Sequence, residues 1–301
     1  MNRNYIVAAL GIVMLTACEK EIKVKVPEYQ SKLVINSNTE VGDSFRVTIG
    51  KSMGILKYKA GQDLQIKDAT VLLYEGNKLA DTMRYDIFAG VYTSKILAKQ
   101  GVSYSISAKV GNGQEATANT KVPSYVPIQS VQRIAKARLD IDGVQQDELR
   151  IKFTDPPGQG DYYVLSIIKP MDTLDEYGYT GCINTVDASV ESIYNEEIDQ
   201  NTCLDGGVIF IRDALFNGTT KELRLFVQSA YIEPYIIDGQ TVNAIVVLRH
   251  VTEDYFRFKK SYKFASANAG NPFSEPTNVY TNVKNGYGVF SVMSYDEKEV
   301  K

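Results

Sequence analysis

Apolar side chains in this chain recur mostly in short runs with a period of two. Lys32-Leu33-Val34-Ile35-Asn36, Ser44-Phe45-Arg46-Val47-Thr48-Ile49, Ala69-Thr70-Val71-Leu72-Leu73-Tyr74 and Val102-Ser103-Tyr104-Ser105-Ile106-Ser107-Ala108 each read as a β-strand. Glu75-Gly76-Asn77, Ala89-Gly90, Gln100-Gly101 and Gly111-Asn112-Gly113 supply turn chemistry between them. Several short strands at this spacing predict a sandwich. Val122-Pro123-Ser124-Tyr125-Val126-Pro127 marks a boundary, because proline cannot donate to a sheet ladder. A first β-sandwich is therefore expected over 28–124 and a second over 125–301.

The second region opens with Ile128 to Ala137 and the turn Asp140-Ile141-Asp142-Gly143. Leu149, Ile151 and Phe153 then alternate on one face, Asp155-Pro156-Pro157-Gly158 breaks the strand, and Tyr162 to Ile168 forms the next. These two strands resemble neighbours in an immunoglobulin or fibronectin-type sandwich. Further strands are expected at Val208 to Ile211, Leu223 to Ser229 and Ala244 to Val251, with a long polar connection over 172–206. One helix is predicted at about 252–267, with Thr252 as its cap and Glu253 and Asp254 at its positive end. Tyr255, Phe258, Tyr262 and Ala265 share a face, which is expected to dock on the second sandwich. A ligand-stacking or partner-binding role for that face is the alternative.

The N-terminus follows a different pattern. Arg3 gives a short positive start, and Tyr5 to Leu15 is an apolar run of signal-peptide length, short of the ~20 residues that cross a bilayer. Leu15-Thr16-Ala17-Cys18 then resembles a lipobox: small residues fit the peptidase beside the scissile bond, and the Cys18 thiol carries the lipid. Residues 1–17 are expected to be removed, leaving lipidated Cys18, a tether over 18–27 and a chain held to the membrane by acyl groups instead of a span. The mature chain loses one base, Arg3, leaving 32 basic against 36 acidic side chains, a formal net charge of −4. Without a basic excess, nucleic-acid binding is disfavoured.

With Cys18 assigned to lipid, Cys182 and Cys203 remain as a pair in an oxidising compartment, and they are expected to form a disulfide. Two free buried thiols or a metal pair are the rival readings. The only histidine, His250, offers no cluster of metal partners. His250 sits at a strand-to-helix junction without a nucleophile elbow, and no zincin, Walker or dinucleotide motif occurs. Asp140 to Gly143 reads as a hairpin turn, its glycine arriving too early for a calcium loop. No catalytic residue, metal ligand or cofactor is therefore assigned. A pair of carboxylates for glycoside hydrolysis would be spatial, and composition cannot select it. The chain has no Trp but 20 Tyr. Tyr177, Tyr179 and Tyr194, in or near the long connection, and Tyr231 and Tyr235, flanking Glu233-Pro234, are the candidates for an exposed contact surface, tyrosine being rigid and amphipathic.

Glu253-Asp254-Tyr255-Phe256 at a helix start, Asn271-Pro272-Phe273-Ser274-Glu275-Pro276, Asn278 to Val283 and Asn285-Gly286-Tyr287-Gly288-Val289-Phe290 form a distinctive C-terminal series. With the lipobox and the Asp155 to Tyr163 segment, the series resembles the Bacteroidota lipoprotein family called domain of unknown function 4249, across essentially the whole mature chain. The resemblance implies an outer-membrane lipoprotein, often encoded beside a TonB-dependent transporter, with no established catalytic residues. Glu19-Lys20-Glu21 is similar to an acidic surface-export signal interrupted by a lysine, which points to cell-surface exposure. The C-terminal series has two readings: a segment that only returns the chain from helix to sheet, which is favoured, or an exposed recognition loop. The function expected is a non-catalytic ligand-binding or accessory component of a TonB-dependent uptake system. The alternatives are a structural or adhesive surface lipoprotein without a transporter partner, and a carboxylate-dependent surface hydrolase.

Overall fold

The computed structural model describes residues 29–54, 57–59, 61–169, 182–192, 203–204, 208–268 and 278–301. The expected signal peptide over 1–17, Cys18, the expected tether over 18–27 and the Asn271 to Pro276 block lie outside the described residues. Strands dominate: β1 (Leu33–Glu40), β2 (Ser44–Lys51), β3 (Thr70–Glu75), β4 (Lys78–Asp86), β5 (Val91–Leu97), β6 (Ser103–Lys109) and β7 (Glu115–Lys121) come first. After Pro127 follow β8 (Ile128–Leu139), β9 (Gln145–Thr154), β10 (Tyr162–Ile168), β11 (Ile183–Asn184), β12 (Val190–Glu191), β13 (Val208–Arg212) and β14 (Thr220–Gln228). The chain ends with β15 (Tyr235–Ile237), β16 (Gln240–Val242), β17 (Ile245–Val251), helix α1 (Glu253–Ala267) and β18 (Gly286–Glu299). The protein is mostly β with a sandwich-like arrangement, as its alternating pattern predicts.

One long sheet runs β12-β13-β10-β17-β18-β1-β2-β5-β4-β3-β6-β7, and a second runs β11-β14-β9-β8. In the first half of the chain the long sheet curls around a single core. Phe45, Val47 and Ile49 of β2 meet Val71 and Leu73 of β3 and Tyr104 and Ile106 of β6, all buried. Thr117 and Lys284 then exchange backbone hydrogen bonds of 3.2 and 2.7 Å, bringing the far edge, β7, back to the segment that enters β18. The second core lies between the two sheets, where Leu149, Ile151 and Phe153 face Tyr163, Leu165 and Leu248.

β7 and β4 escape the sequence pattern for a simple reason. The buried positions of β7 are Ala116, Ala118 and Thr120, small side chains that alternate correctly but carry little apolar signal. Only Met83 is fully buried in β4.

The sequence division at 124/125 separates Val122, in the first core, from Val126, in the second. The last strand crosses it. β18 pairs in parallel with β1 from Leu33↔Gly286 to Glu40↔Met293, then antiparallel with β17 from His250↔Ser294 to Ile245↔Glu299. On one face it places Phe290 and Val292 in the first core, while Val300, just past its end, enters the second. Between those positions Ser294 Oγ donates to the Ser124 carbonyl (2.6 Å), and Asp296 accepts from the Ile128 N–H (2.8 Å) and the Tyr125 hydroxyl (2.7 Å). The proline-bounded connection is thus fastened along the strand both cores share.

The opposite face of the long sheet carries α1. Thr252 caps the helix, its Oγ1 accepting the Tyr255 N–H at 3.2 Å. The docked face differs from the expected stripe. Tyr255 and Phe256 are buried against Val164, Phe210, Val251 and Met293, whereas Tyr262 is 53% exposed and stacks on Phe258. Only the first turn of the helix lies on the sheet's apolar patch, so period alone misplaces the contact.

Glycine is required where β18 meets β1. Gly288 has φ +103°, and a Cβ there would lie 2.1 Å from the Ile35 carbonyl oxygen. At Gly286 a Cβ would lie 2.6 Å from the Leu33 carbonyl oxygen. The other edge of this stretch of β18 is met by side chains: the Asn282 amide accepts from the Phe290 N–H (3.0 Å) and donates to its carbonyl (2.9 Å), and Thr281 Oγ1 donates to the Gly288 carbonyl (2.8 Å). Residues 278–285 therefore secure the closing strand.

Cys182 and Cys203 form a disulfide, with Cα atoms 5.1 Å apart, beside the bridge Ile183↔Leu204. Replacing both with serine should lower unfolding free energy by about 3 kcal/mol, read by denaturant titration of the oxidised protein and the variant. Gly288→Ala should cost at least the ~1–3 kcal/mol of a strained backbone, with the carbonyl clash added. Gly111→Ala, which meets nothing within 4 Å, is its control. Equal melting of the two glycine variants would contradict the close β1–β18 approach.

Candidate functional site

Four polar side chains far apart in sequence converge at one end of the second sandwich. Asp155 directly follows β9 and precedes Pro156-Pro157, Asp161 immediately precedes β10, Asp213 follows β13, and His250 lies near the end of β17. Asp155, Asp213 and His250 are buried, and Asp161 is partly so. One oxygen from each carboxylate falls within 4.8 Å of the others.

That convergence could hold a small cation, but each member already has a partner. Asp155 accepts the Tyr163 hydroxyl through one oxygen and the Gly218 N–H (2.9 Å) through the other. Asp213 accepts the Gly160 N–H at 2.9 Å. His250 donates through Nδ1 to the Ser124 carbonyl at 2.8 Å, and its Nε2 lies 2.8 Å from Asp161 Oδ1. Tyr163 stacks on the imidazole with ring centroids 4.8 Å apart. These bonds tie the 155–161 loop, the 213–218 loop and the Ser124 connection to the same point. The arrangement acts as a latch for three loops, buried polar groups being tolerable only when so paired.

Its electrostatics fit a closed interior. Burial pushes the Asp155 carboxyl above the usual carboxylate range, with Asp161 and Asp213 adding like charge; the Tyr163 and Gly218 hydrogen bonds offset this only in part. Burial and the bond to Asp155 hold the Tyr163 hydroxyl protonated far above the ordinary tyrosine range.

A second buried acid behaves oppositely. Asp147 of β9 is fully buried and accepts from Arg133 Nε (2.6 Å), the Lys136 N–H (2.8 Å) and Ser229 Oγ. Burial raises its carboxyl, but these donors outweigh burial and the net effect is downward. Lys136, with φ 52°, lies in a bulge of β8 between Ile134 and Arg138, Arg133 stands just before that bulge, and Ser229 follows β14. Asp147 therefore holds the extra residues of that bulge in place.

Among the expected contact residues, Tyr177, Tyr179 and Tyr194 lie outside the described residues. Tyr231 and Tyr235 both lie among the described residues. Tyr231 is 43% exposed on the short helical turn Ser229–Ile232, and Tyr235 opens the β15–β16 hairpin. Lys169 Nζ donates to the carbonyl of Ala230, next to Tyr231, at 3.3 Å and lies 5.0 Å from the Tyr235 ring centroid. The hairpin turns at Asp238-Gly239, both with positive φ, and presents Ile236 at 74% exposure. The Tyr235 hydroxyl is buried without a hydrogen-bond partner among the described residues. This small apolar and aromatic projection on a rigid hairpin is suited to contact with another surface. The Asp140 to Gly143 segment is a hairpin turn, as expected, with Asp140 Oδ1 accepting the N–H groups of Asp142 and Val144.

The acid–histidine latch could not be found from sequence, since its members are separated by up to 95 positions and no spacing rule joins them. The nearest signal was local: an acid before Pro-Pro, then Asp161 preceding a tyrosine pair.

A family model described as Domain of unknown function (DUF4249) matches residues 19–299. No curated protein matches the chain. Among solved structures, a Salmonella alpha-2-macroglobulin mutant is similar at 12% identity over 91% of this chain, with a TM-score of 0.27. The Salmonella alpha-2-macroglobulin reacted with methylamine is similar at 13% identity over 77%, with a TM-score of 0.26. The chain spans 15% and 14% of the lengths of those two chains. Likeness at these scores carries no argument about function.

The two buried acids make opposite pH predictions. For Asp155, whose folded value is raised, the stabilising share is complete below the ordinary carboxylate value of 3.8 and is lost as pH rises through the folded value. Asp155→Asn should therefore gain stability relative to the parent on going from pH 3 to pH 8. For Asp147, whose folded value is lowered, the contribution is complete above 3.8 and is lost as pH falls. Asp147→Asn should be most damaging near neutrality, and its deficit should shrink in acid. Melting temperatures of parent and variants across that pH range check both signs.

Proposed function

Because the chain belongs to the DUF4249 family, we propose that it is a Bacteroidota outer-membrane lipoprotein, anchored by acylated Cys18 and exposed at the cell surface. It serves there as a non-catalytic binding or accessory component of a TonB-dependent uptake system. The observation that carries the anchor is the signal-like run ending in Leu15-Thr16-Ala17-Cys18, with the family match beginning at the next residue. The transporter partnership follows from the family resemblance. No helix among the described residues is long and apolar enough to cross a membrane.

Two features favour contact over chemistry. The three clustered carboxylates are turned inward and engaged by Tyr163, His250 and two backbone N–H groups. The exposed large apolar side chains include Phe88 and Ile141 at hairpin connections and Ile236 on the short β15 strand, where a rigid scaffold presents contact groups. Tyr231, Tyr235 and Ile236 form the contact surface toward the partner, an aromatic-centred patch of the kind that dominates interface energetics.

The test is affinity isolation from detergent-solubilised outer membranes with a tag after Lys301, followed by mass spectrometry. One TonB-dependent barrel should co-elute in near-equal amount, and Tyr231→Ala with Tyr235→Ala should reduce it about tenfold or more if this patch is an interface hot spot. Recovery of the lipoprotein alone, under conditions that preserve a known transporter complex, overturns the partnership.

A further inference from the structure

The strand register places one end of the first sandwich where the chain enters it. Leu33 begins β1 opposite Lys51, the last residue of β2, and opposite Gly286, the first residue of β18. The β4–β5 turn reaches the same end. β5 runs antiparallel to β2 with Tyr92 opposite Val47, so Val91 and the turn before it lie toward the Lys51 end. Gln65 makes the connection direct: it bridges to Gly50, donates to the Gly90 carbonyl, and accepts from the Tyr85 hydroxyl at 3.1 Å.

That turn displays the most exposed large apolar side chain among the described residues. Phe88 is 99% exposed and Ile87 77% exposed. The turn is firmly built. Asp86 Oδ1 accepts the N–H groups of Phe88 (2.9 Å) and Ala89 (3.1 Å), and the Asp86 carbonyl accepts from Gly90 (2.8 Å). Gly90 supplies the positive φ that closes it. A single exposed apolar side chain would need no explanation, but Ile87 and Phe88 are exposed side by side on an ordered turn, and a grouped apolar patch marks a contact site.

Its surroundings indicate the partner. Tyr58 is 54% exposed on the loop that also carries Gln65. Lys32, Lys51, Lys57, Lys59 and Lys284 are exposed at this end of a chain whose overall formal charge is −3. Of the acids at this end, Asp86 bonds its own turn, Asp63 pairs with Lys67 at 3.0 Å, and Asp68 is exposed before β3, so the lysines outnumber the acids. Apolar and aromatic tips ringed by lysines match a bilayer interface, where rings enter the headgroup region and ammonium groups meet lipid phosphates. The length of chain outside the described residues agrees. Cys18 lies thirteen positions before Ser31, so the tether spans at most roughly 45 Å even when fully extended. The first sandwich enters from that tether, and its opposite end leads to the second.

We infer that this end of the first sandwich rests on the phospholipid bilayer that holds the acyl chains of Cys18, with Ile87 and Phe88 inserted at the interface and the surrounding lysines against anionic headgroups. The inference depends on the lipid anchor proposed above.

The absence of tryptophan makes a direct test available, because Phe88→Trp creates a sole reporter. The full acylated protein is reconstituted into phosphatidylethanolamine–phosphatidylglycerol vesicles, with and without brominated acyl chains. Ile141→Trp, on the β8–β9 turn and 76% exposed, is the control. Expected are blue-shifted emission and strong bromine quenching for Phe88→Trp, water-like emission without quenching for Ile141→Trp, and loss of both signals at Phe88→Trp when Lys57 and Lys59 are changed to Glu. The mass of the N-terminal peptide is read in parallel. If Cys18 is acylated and Phe88→Trp behaves like the control, the membrane contact is overturned while the anchor stands. If Cys18 carries no lipid and the protein leaves the vesicles, the anchor fails and this inference with it. Blue-shifted emission that bromine does not quench means that another protein copy covers the turn, which also overturns the inference.

Discussion

The parallel pairing of β18 with β1 is the constraint on which the rest of the structure depends. Strand β18 pairs with the first described strand, so the first core includes Phe290 and Val292, which lie about 250 positions after Leu33. The approach is close enough that only glycine fits at 286 and 288. Past Met293 the same strand changes partner to β17 and fastens the Ser124 to Ile128 connection through Ser294 and Asp296. Two hydrophobic cores are thereby tied by one continuous strand, and residues 278–290 acquire a structural meaning. Asn282 and Thr281 serve the edge of that strand where, among the described residues, no neighbouring strand pairs with it.

Buried polar groups then fix what hydrophobic packing leaves open. Apolar side chains decide which face is inside, but they are tolerant about where a loop crosses or where a strand bulges. Asp147 gathers the irregular stretch of β8, and the Asp155–Tyr163–Asp161–His250 group gathers three loops at the end of the second sandwich. The two solutions differ in charge. Asp147 has an arginine and is held in its ionised form, whereas Asp155 sits among other acids and a tyrosine, and burial drives it toward the neutral one. Both are costly to build and specific once built, which suits positions that must not slip.

The residues left over by the fold are segregated. Phe88 and its lysines occupy the end where the chain enters, and Tyr231, Tyr235 and Ile236 occupy a hairpin in the second half. A tethered protein with distinct membrane-side and partner-side surfaces would need such a separation, because a short tether limits how the body can turn.

Period-two alternation, the turn residues and the Pro-bounded connection are local properties, and from them the mostly β sandwich class, the helix at Thr252 and the paired cysteines were readable. The lipobox reading is equally local, resting on a few adjacent side chains. Other features are not local. The face of α1 that docks, Tyr255 with Phe256, depends on where the sheet's apolar patch ends. β7 was silent because alanine and threonine bury correctly without looking apolar. The sharing of β18, the acid–histidine latch and the neighbourhood of Phe88 all arise from pairings between residues tens to hundreds of positions apart. No spacing along one chain specifies such pairings, so sequence alone determined the kinds of elements and their chemistry, while the tertiary structure decided which of them meet.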